Sequence, residues 1–336
     1  MKVIKFFAIT AMAAAMITSC SNEDELSQSN YPSDNIIRVT AGVNNAKTRA
    51  EGAGTEMKND FSLTIVNKNA PKYTYTDKVF SKTSGDWACS ETLLWQKSDA
   101  LVDIVAFAPA QTGKFNGVYD NDRNIQSIAY SVADDQSTSS DNNDLLYYYS
   151  KGFVPEDSLV NKKLNIKFNH AFCMIDIVVT LGTEFNKPKV LDDSPIVKVT
   201  LDGTKIAANV DVKNAATGST TTTAASVVTA SETATPTTIT TTKGTFTKAA
   251  NEEANAKSCF SCIAIPQTVG ANTFKVSLMT AGKRYEWTSA EPVVLKSGYR
   301  YTLNLSMGND VVLLKGGSIS ATPWTEITSD KPLETD

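Results

Sequence analysis

The sequence predicts an all-β protein with two domains, and three observations support this prediction. Apolar and polar residues alternate with a period of two in most foldable segments, as in Leu164, Ile166 and Phe168, which is the pattern of a half-buried strand. No segment of the sequence shows a sustained helical period of useful length. Removal of a predicted export signal at residues 1–19 leaves 317 of the 336 residues, which is more than one core usually organises.

The export signal is the first recognisable element of the chain. Lys2 and Lys5 form a basic start, and residues 6–16 form an apolar run too short for a permanent transmembrane helix. The next residues, Ile17-Thr18-Ser19-Cys20, resemble a bacterial lipoprotein box, in which the Cys thiol is acylated and becomes the new N-terminus. The sequence therefore predicts a lipoprotein signal peptide at 1–19 and a lipid, such as palmitate, on Cys20 that holds the precursor at the outer membrane. An ordinary secretory peptide with an incidental Cys is the alternative.

A polar tether follows Cys20. The acidic run Ser21-Asn22-Glu23-Asp24-Glu25 and the Ser-, Asn- and Pro-rich residues up to Asn35 contain almost nothing to bury. An acidic run directly after a lipidated Cys resembles the signal that sends lipoproteins of Bacteroidetes-type bacteria to the outer face of the outer membrane. We therefore expect display on the cell surface.

The first foldable segment is a predicted strand at residues 37–43. Its alternating apolar face consists of Ile37, Val39, Ala41 and Val43. A polar loop over residues 44–54 follows and contains Arg49 before Ala50. A trypsin-like protease cuts most easily after an Arg in a flexible polar loop, so this bond is a candidate processing site. An unremarkable surface Arg is the alternative.

Further strands are predicted along both halves of the chain. In the first half they lie at 61–65, 73–75, 93–95, 102–108, 164–168 and 172–181, and in the second half at 197–201, 261–266, 274–278, 285–287 and 299–305. Gly, Asn, Pro and Asp cluster at 182–194 and indicate a boundary. We therefore expect an N-terminal domain at 50–188 and a C-terminal domain at 189–336. The Thr-rich stretch 215–248 is either an exposed edge strand with loops or a flexible insertion.

Composition excludes several classes of function. Lys and Arg number 32 against 36 Asp and Glu, so a formal charge of −4 provides no basic footprint for nucleic acid. The cysteines that remain after lipidation are Cys89, Cys173, Cys259 and Cys262. Four cysteines in an exported chain of this length imply no dense disulfide framework.

Other chemical readings of the sequence are weaker. Cys259-Phe260-Ser261-Cys262 lacks a second ligand pair for zinc, and the only His, His170, is more consistent with a structural role. Residues 120–124 begin like a calcium loop but lack its Gly and closing Glu. Tyr147-Tyr148-Tyr149 with Trp87 suits either a carbohydrate-stacking surface or cross-strand packing, and we favour packing. We predict no catalytic residue, metal or cofactor.

Short motifs follow one another along the chain in a defined order. They are the lipoprotein box at Cys20, Thr48-Arg49-Ala50, Trp95 before Ala106-Phe107-Ala108-Pro109, Asp144-Leu145-Leu146-Tyr147, Phe168-Asn169-His170-Ala171, Pro266-Gln267, Gly298-Tyr299-Arg300-Tyr301 and Pro323-Trp324. In this order and spacing the chain resembles the Bacteroidetes fimbrillins, the subunits of type V pili, and the broader fimbrillin-like surface lipoproteins. The resemblance implies two tandem transthyretin-like β-sandwich domains behind a lipoprotein signal peptide.

The resemblance also implies a mechanism of assembly. An arginine-specific surface protease would cut between Arg49 and Ala50 and remove residues 20–49, the tether and first strand, as a propeptide. The processed chain would then polymerise by strand exchange with other fimbrial subunits into the shaft or tip of a fimbrium. Such a fimbrium serves adhesion and biofilm formation, and a host or bacterial surface receptor is a further expected partner.

The physics of sheet edges favours the same mechanism. Loss of the first strand would leave an apolar groove and a long unpaired edge, which is a template for a strand from another subunit. The candidate donor lies within residues 311–321, because this segment alternates and has no obvious place in a finished domain. Its apolar residues are Val312, Leu314, Ile319 and Ala321. The alternative is that these residues form the last strands of the C-terminal domain.

Two other classes of function compete with this one. A permanently lipid-anchored glycan-binding protein or adhesin would keep residues 20–49 and would not polymerise. A surface glycosidase would need two carboxylates at a defined separation, and the sequence identifies no such pair. A structural protein, not an enzyme, is the expectation.

Overall fold

The computed structural model describes residues 30–44, 55–57, 59–110, 127–138, 143–215, 227–308 and 315–323. Within these ranges the chain is built almost entirely of strands, so the predicted all-β class is confirmed. The helical elements there are the single turn α1 (Pro155–Ser158) and short 3-10 turns at Pro71–Tyr73, Thr183–Asn186 and Val212–Ala215. No helix in the described ranges is long and apolar enough to cross a membrane.

The strands fall into two groups along the chain. Those of the first half are β1 (Val39–Val43), β2 (Thr55–Glu56), β3 (Phe61–Val66), β4 (Tyr75–Thr83), β5 (Asp86–Cys89), β6 (Val102–Ala108), β7 (Ile128–Ser131), β8 (Leu146–Phe153) and β9 (Leu164–His170). Those of the second half are β10 (Cys173–Leu181), β11 (Ile196–Lys205), β12 (Ala207–Val210), β13 (Val228–Ala230), β14 (Pro236–Thr240), β15 (Thr242–Thr247), β16 (Lys257–Ala264), β17 (Gln267–Val269), β18 (Lys275–Thr280), β19 (Arg284–Thr288), β20 (Val293–Leu295), β21 (Tyr299–Met307) and β22 (Lys315–Pro323).

The N-terminal half is an eight-stranded sheet whose two ends meet at β1. The strand order is β2-β1-β5-β4-β3-β6-β8-β9, and β1 also pairs with β9. Aromatic rings fill the interior: Phe61 stacks on Phe80 at 5.3 Å between ring centroids and meets Phe168 edge-on at 5.5 Å. Because β1 is the strand that joins the two ends, its removal would open the sheet along one side.

The C-terminal half is a sandwich of two sheets. A five-stranded sheet, β15-β16-β10-β21-β22, and a four-stranded sheet, β14-β11-β18-β19, contribute to one apolar cluster. The central strand β10 alternates cleanly, and its inward residues Ile175, Ile177 and Val179 are at most 1% exposed. The Thr-rich stretch supplies β14 and β15 at sheet edges, which matches the edge-strand reading for its described residues.

A small third sheet joins the two halves. β7 from the first half pairs antiparallel with β12 from the second, and β13 extends this sheet. The side chain of Gln136, fully buried, donates to the carbonyl of Ile263 at 2.9 Å and accepts from its N–H at 2.8 Å. A separate apolar cluster, which includes Phe107 and Phe172, lies at this junction.

The place of β10 differs from the sequence-based boundary between residues 188 and 189. That boundary assigns β10 to the first half, whereas β10 pairs with β16 and β21 in the five-stranded sheet. The chain passes between the halves at Ala171 and Phe172, both 0% exposed. A connection made of buried apolar residues contains no cluster of Gly, Pro or polar residues, so the sequence gives no sign that the chain passes between the halves there. The division into two domains stays a prediction.

Candidate functional site

The first strand is seated in the wall of the N-terminal core. Ile37, Val39 and Val43 are 5%, 3% and 3% exposed and belong to the N-terminal core cluster. Ala41 is half-buried between them, and Arg38 and Thr40 face solvent. The alternation expected from the sequence is therefore present in the structure, with the apolar face turned inward.

On one side β1 is paired along its whole length. It runs parallel to β9, in a register that places Val39 beside Leu164 and Val43 beside Phe168. The N–H of Leu164 donates to the carbonyl of Arg38 at 2.7 Å, and the N–H of Asn44 donates to the carbonyl of Phe168 at 2.6 Å. β9 thus provides a continuous backbone template for the first strand.

The other side of β1 is covered in two pieces. β5 meets it at one position, Val39 opposite Trp87, and β2 meets it at two, Gly42 opposite Glu56 and Val43 opposite Thr55. Upstream, the N–H of Ile37 donates to the carbonyl of Leu93 at 2.9 Å. The strand therefore lies between two walls, as an inserted element and not as a free edge.

Removal of β1 would expose a groove with an apolar floor. Its lining includes Leu164, Ile166 and Phe168 on β9, all 0% exposed in the intact chain, and the half-buried ring of Trp87, which meets Phe61 edge-on at 5.0 Å. Burial of a Val or Ile side chain stabilises by about 1.5–3 kcal/mol, so the three buried residues of the first strand set a scale of roughly 5–9 kcal/mol. The backbone groups of β9 would also lose their partners.

Electrostatics add little to the seating of β1. Arg38 and Asp34 form an ion pair at 2.6 Å, and the guanidinium holds the pKa of the Asp34 carboxyl well below its usual range. Both side chains are exposed, and an exposed pair of this kind contributes little to stability. Apolar burial and backbone pairing are the forces that hold the strand.

Three predicted modification and processing residues, Cys20, Arg49 and Ala50, lie outside the described residues. Arg49 falls in the segment 45–54, which connects β1 to β2 in the sequence. A cut there would sever the covalent link between the first strand and the rest of the fold.

The candidate donor segment has a place in the C-terminal sheet, contrary to the expectation that it lacks one. β22 is an edge strand that pairs antiparallel with β21, with Ile319 opposite Leu303 and Ala321 opposite Tyr301. Ile319 is half-buried and Ala321 is exposed. Val312 and Leu314 lie outside the described residues.

The described side chains of β22 are more exposed than those of β1, with Ile319 half-buried and Ala321 exposed. An open pocket of about 520 Å³ lies beside them, lined also by Trp287, Val293 and Tyr301. β22 is thus less firmly held by side-chain packing than β1.

The other residues considered for chemistry have structural surroundings. Nδ1 of His170 lies 2.7 Å from a carboxylate oxygen of Asp144, with the His side chain only 3% exposed. Cys259 is half-buried and Cys262 is fully buried, and burial raises the pKa of the Cys262 thiol to about 12, which disfavours the reactive thiolate. Tyr147 is packed in the junction cluster. The sequence 120–124 lies outside the described residues, and among the described ones no group of acidic, His or Cys side chains is arranged to hold a metal ion.

Several of the sequence motifs meet at the junction between the halves. The Asp144 motif pairs with the His170 motif through Leu146 opposite His170. The N–H of Gly298 donates to the carbonyl of Phe172 at 2.9 Å, which ties the Gly-Tyr-Arg-Tyr motif to the same place. These motifs therefore secure the connection between the halves.

Sequence reasoning missed the second wall of the groove. Trp95 flanks the first strand and its N–H donates to the carbonyl of Asn35 at 2.8 Å. β2 is only two residues long and shows no period at all. Gln136 also gave no signal, because a single polar residue in a long predicted loop looks like any other.

Comparison with known proteins places this fold. A model of the fimbrillin-like family matches residues 48–324. A solved structure of a Bacteroides ovatus protein assigned to cell adhesion superposes with a TM-score of 0.57 at 17% identity, covering 88% of this chain and 99% of that one. A Bacteroides uniformis protein with the same assignment has a TM-score of 0.53 at 14% identity, with 88% and 99% covered.

These two structural likenesses establish the shared fold. No curated protein sequence matches the chain. The family match spans most of the chain and includes both halves of the fold. The chain therefore belongs to the fimbrillin-like family.

Proposed function

We propose that this chain is a structural subunit of a surface fimbrium, in the shaft or at the tip, which polymerises by donor-strand exchange and serves adhesion and biofilm formation. Membership of the fimbrillin-like family supports a fimbrial or adhesion-related structural role at the cell surface. The mechanism rests on the burial of β1 in the N-terminal core: Val39 and Val43 are each 3% exposed, and Ile37, just before the strand, is 5% exposed. A strand held in this way leaves a preformed groove when it departs.

The proposed sequence of events begins at the membrane. The precursor is exported, receives its lipid on Cys20 and is held at the outer membrane. An arginine-specific surface protease then cuts between Arg49 and Ala50. Residues 20–49 become a noncovalent ligand of the groove, which a strand from a second subunit displaces.

Residues 311–321, which include Val312, Leu314, Ile319 and Ala321 and whose described part lies in β22, are the proposed donor. Exchange would increase the burial of this segment, because it leaves an edge position where Ile319 is half-buried and Ala321 exposed and enters a groove in which Val39 and Val43 are each 3% exposed. Its backbone hydrogen bonds with β21 are replaced by bonds with β9. A head-to-tail contact of this kind does not close on itself and so gives a filament.

The first test is the N-terminus of the protein recovered from the cell surface. Intact mass and N-terminal sequencing should give Ala50 as the first residue, which leaves 287 of the 336 residues. A lipidated Cys20 as the sole mature N-terminus would contradict processing. It would favour a permanently anchored glycan-binding protein or adhesin that does not polymerise.

Arg49→Lys should block assembly. With purified precursor and an arginine-specific protease, wild-type protein should form a ladder of oligomers on a gel, and Arg49→Lys should remain monomeric. Arg38→Lys is the matched control, because Arg38 lies next to β1, a paired strand that resists proteolysis, and this variant should be cut and should assemble like wild type. Complete cleavage of wild type without any oligomer would refute strand exchange.

Ile319→Asn should separate donor function from stability. Because Ile319 is only half-buried, we expect the free energy of unfolding of the precursor to fall by less than about 1.5 kcal/mol. The oligomer yield after processing should fall at least tenfold, since the groove cannot bury an amide without a partner. Ser320→Asn, at an exposed neighbouring position, should assemble normally. A normal ladder from Ile319→Asn would exclude β22 as the donor.

A further inference from the structure

The residues directly after the cut also contact the first strand. β2 (Thr55–Glu56) supplies two of the three residue pairs on the side of β1 that faces away from β9. In the described part of the chain, β2 pairs with no strand other than β1. Its backbone is therefore available to pair with any strand that takes the place of β1 in the groove.

β2 is anchored on the side that remains after processing. Met57, the next residue, is 3% exposed and belongs to the N-terminal core cluster. A cut between Arg49 and Ala50 leaves Thr55, Glu56 and Met57 on the processed chain. Met57 then keeps the segment at the rim of the groove while β1 departs.

We propose that Thr55–Met57 forms a clasp, which pairs with the donor strand of a second subunit and holds it in the groove. This inference rests on the proposed strand exchange. The clasp lies antiparallel to β1 at Gly42 and Val43, while β9 lies parallel on the opposite side. A donor that takes the place of β1 is thereby paired on both of its edges, at the end nearest the junction of the two halves.

The clasp recognises the donor through backbone groups. A pairing of this type adds a strand by main-chain hydrogen bonds, and specificity comes from the side-chain pockets. The floor of the groove, with Leu164, Ile166 and Phe168, selects alternating apolar residues, whereas the clasp accepts any extended chain. We therefore expect the clasp to slow dissociation without changing which donor enters.

The test compares Thr55→Pro with Thr55→Ala in the processed chain. The backbone groups of Val43 point away from β9, so Val43 and Thr55 form the hydrogen-bonded pair between β1 and β2, whereas the N–H of Glu56 points away from β1. Pro removes the backbone N–H and Ala removes only the side chain. The probe is a fluorescent peptide of residues 34–49, the occupant that the groove already holds in the precursor. Thr55→Pro should release this peptide about tenfold faster than wild type, as expected for the loss of one hydrogen bond, and Thr55→Ala should release it at the wild-type rate.

Amide hydrogen exchange provides a second measurement that does not depend on a variant. In processed wild-type chain, the amide of Thr55 should exchange fast with the groove empty and at least tenfold more slowly with the peptide bound or in the polymer. Unchanged exchange, or equal release rates for Thr55→Pro and Thr55→Ala, would overturn the clasp while wild-type oligomers still form. Failure of processed wild type to form oligomers would instead overturn the strand exchange on which the clasp rests.

Discussion

Val39→Asp should lower the free energy of unfolding of the precursor by about 3–5 kcal/mol. Val39 is 3% exposed and lies beside Leu164 and opposite Trp87. A carboxylate there loses its water and finds no cationic partner on these neighbours. The expected loss is capped by the free energy with which β1 docks, because the strand can leave the groove while the rest of the fold persists.

The matched control is one residue away. Thr40→Asp places the same carboxylate on the solvent face of the same strand, where Thr40 is exposed, and should change the free energy of unfolding by less than about 0.5 kcal/mol. Urea unfolding followed by circular dichroism measures both variants. Val39→Asp should also be cut faster after Arg49, since detachment of β1 frees more of the chain before the cut to extend into the active site of a protease. Equal effects of the two substitutions would mean that β1 is not seated as described.

The inward face of β1 could be predicted from the sequence because successive side chains of a strand point to opposite faces of the sheet. Ile37, Val39, Ala41 and Val43 stand out without any knowledge of their partners. The partner strand could not be identified in this way. β9 lies far along the chain, as the contact of Thr40 with Asn165 at a separation of 125 residues illustrates, and many apolar strands were available to pair with β1.

Other features failed to give a signal for distinct physical reasons. The pairing of β10 with strands of the second half could not be predicted, because turn-forming residues cluster after β10 and not before it. The place of β22 was missed because its alternation describes a half-buried edge strand and a donor equally well. The clasp is too short to show an alternation of apolar and polar residues. Its proposed role depends on its pairing with β1, which the sequence does not reveal.

The connection between the halves was the largest feature hidden from the sequence. Motifs centred on Asp144, His170 and Gly298 were recognised only as a resemblance, yet they converge at one junction. In the proposed filament, force would pass from the groove in one half to the donor segment in the other. The proposal therefore requires a stiff junction, and the buried hydrogen bonds of Gln136 are one source of that stiffness.

Gln136→Leu should lower the free energy of unfolding by about 3–6 kcal/mol. Gln136 is 0% exposed, and its amide donates to the carbonyls of Ala133 at 3.0 Å and Ile263 at 2.9 Å and accepts from the N–H of Ile263 at 2.8 Å. Leu keeps the approximate volume but orphans all three backbone groups. Each buried backbone group left without a hydrogen-bond partner costs about 1–3 kcal/mol of stability. The expected loss lies in the lower part of the sum for three groups, because water can reach one of them after the substitution.

Ser137→Ala is the control for this substitution, because Ser137 is the exposed next residue of the same loop and its replacement should change stability by less than about 0.5 kcal/mol. Urea unfolding measures the loss in the free energy of unfolding, and amide hydrogen exchange shows which part of the fold is destabilised. The amide of Ile263 lies in β16 of the C-terminal half and should exchange faster in Gln136→Leu than in wild type. If that amide keeps its protection, the side chain of Gln136 does not hold the two halves together, and the junction depends on its other contacts, which include its apolar cluster, the pairing of β7 with β12 and the bond from Gly298 to Phe172.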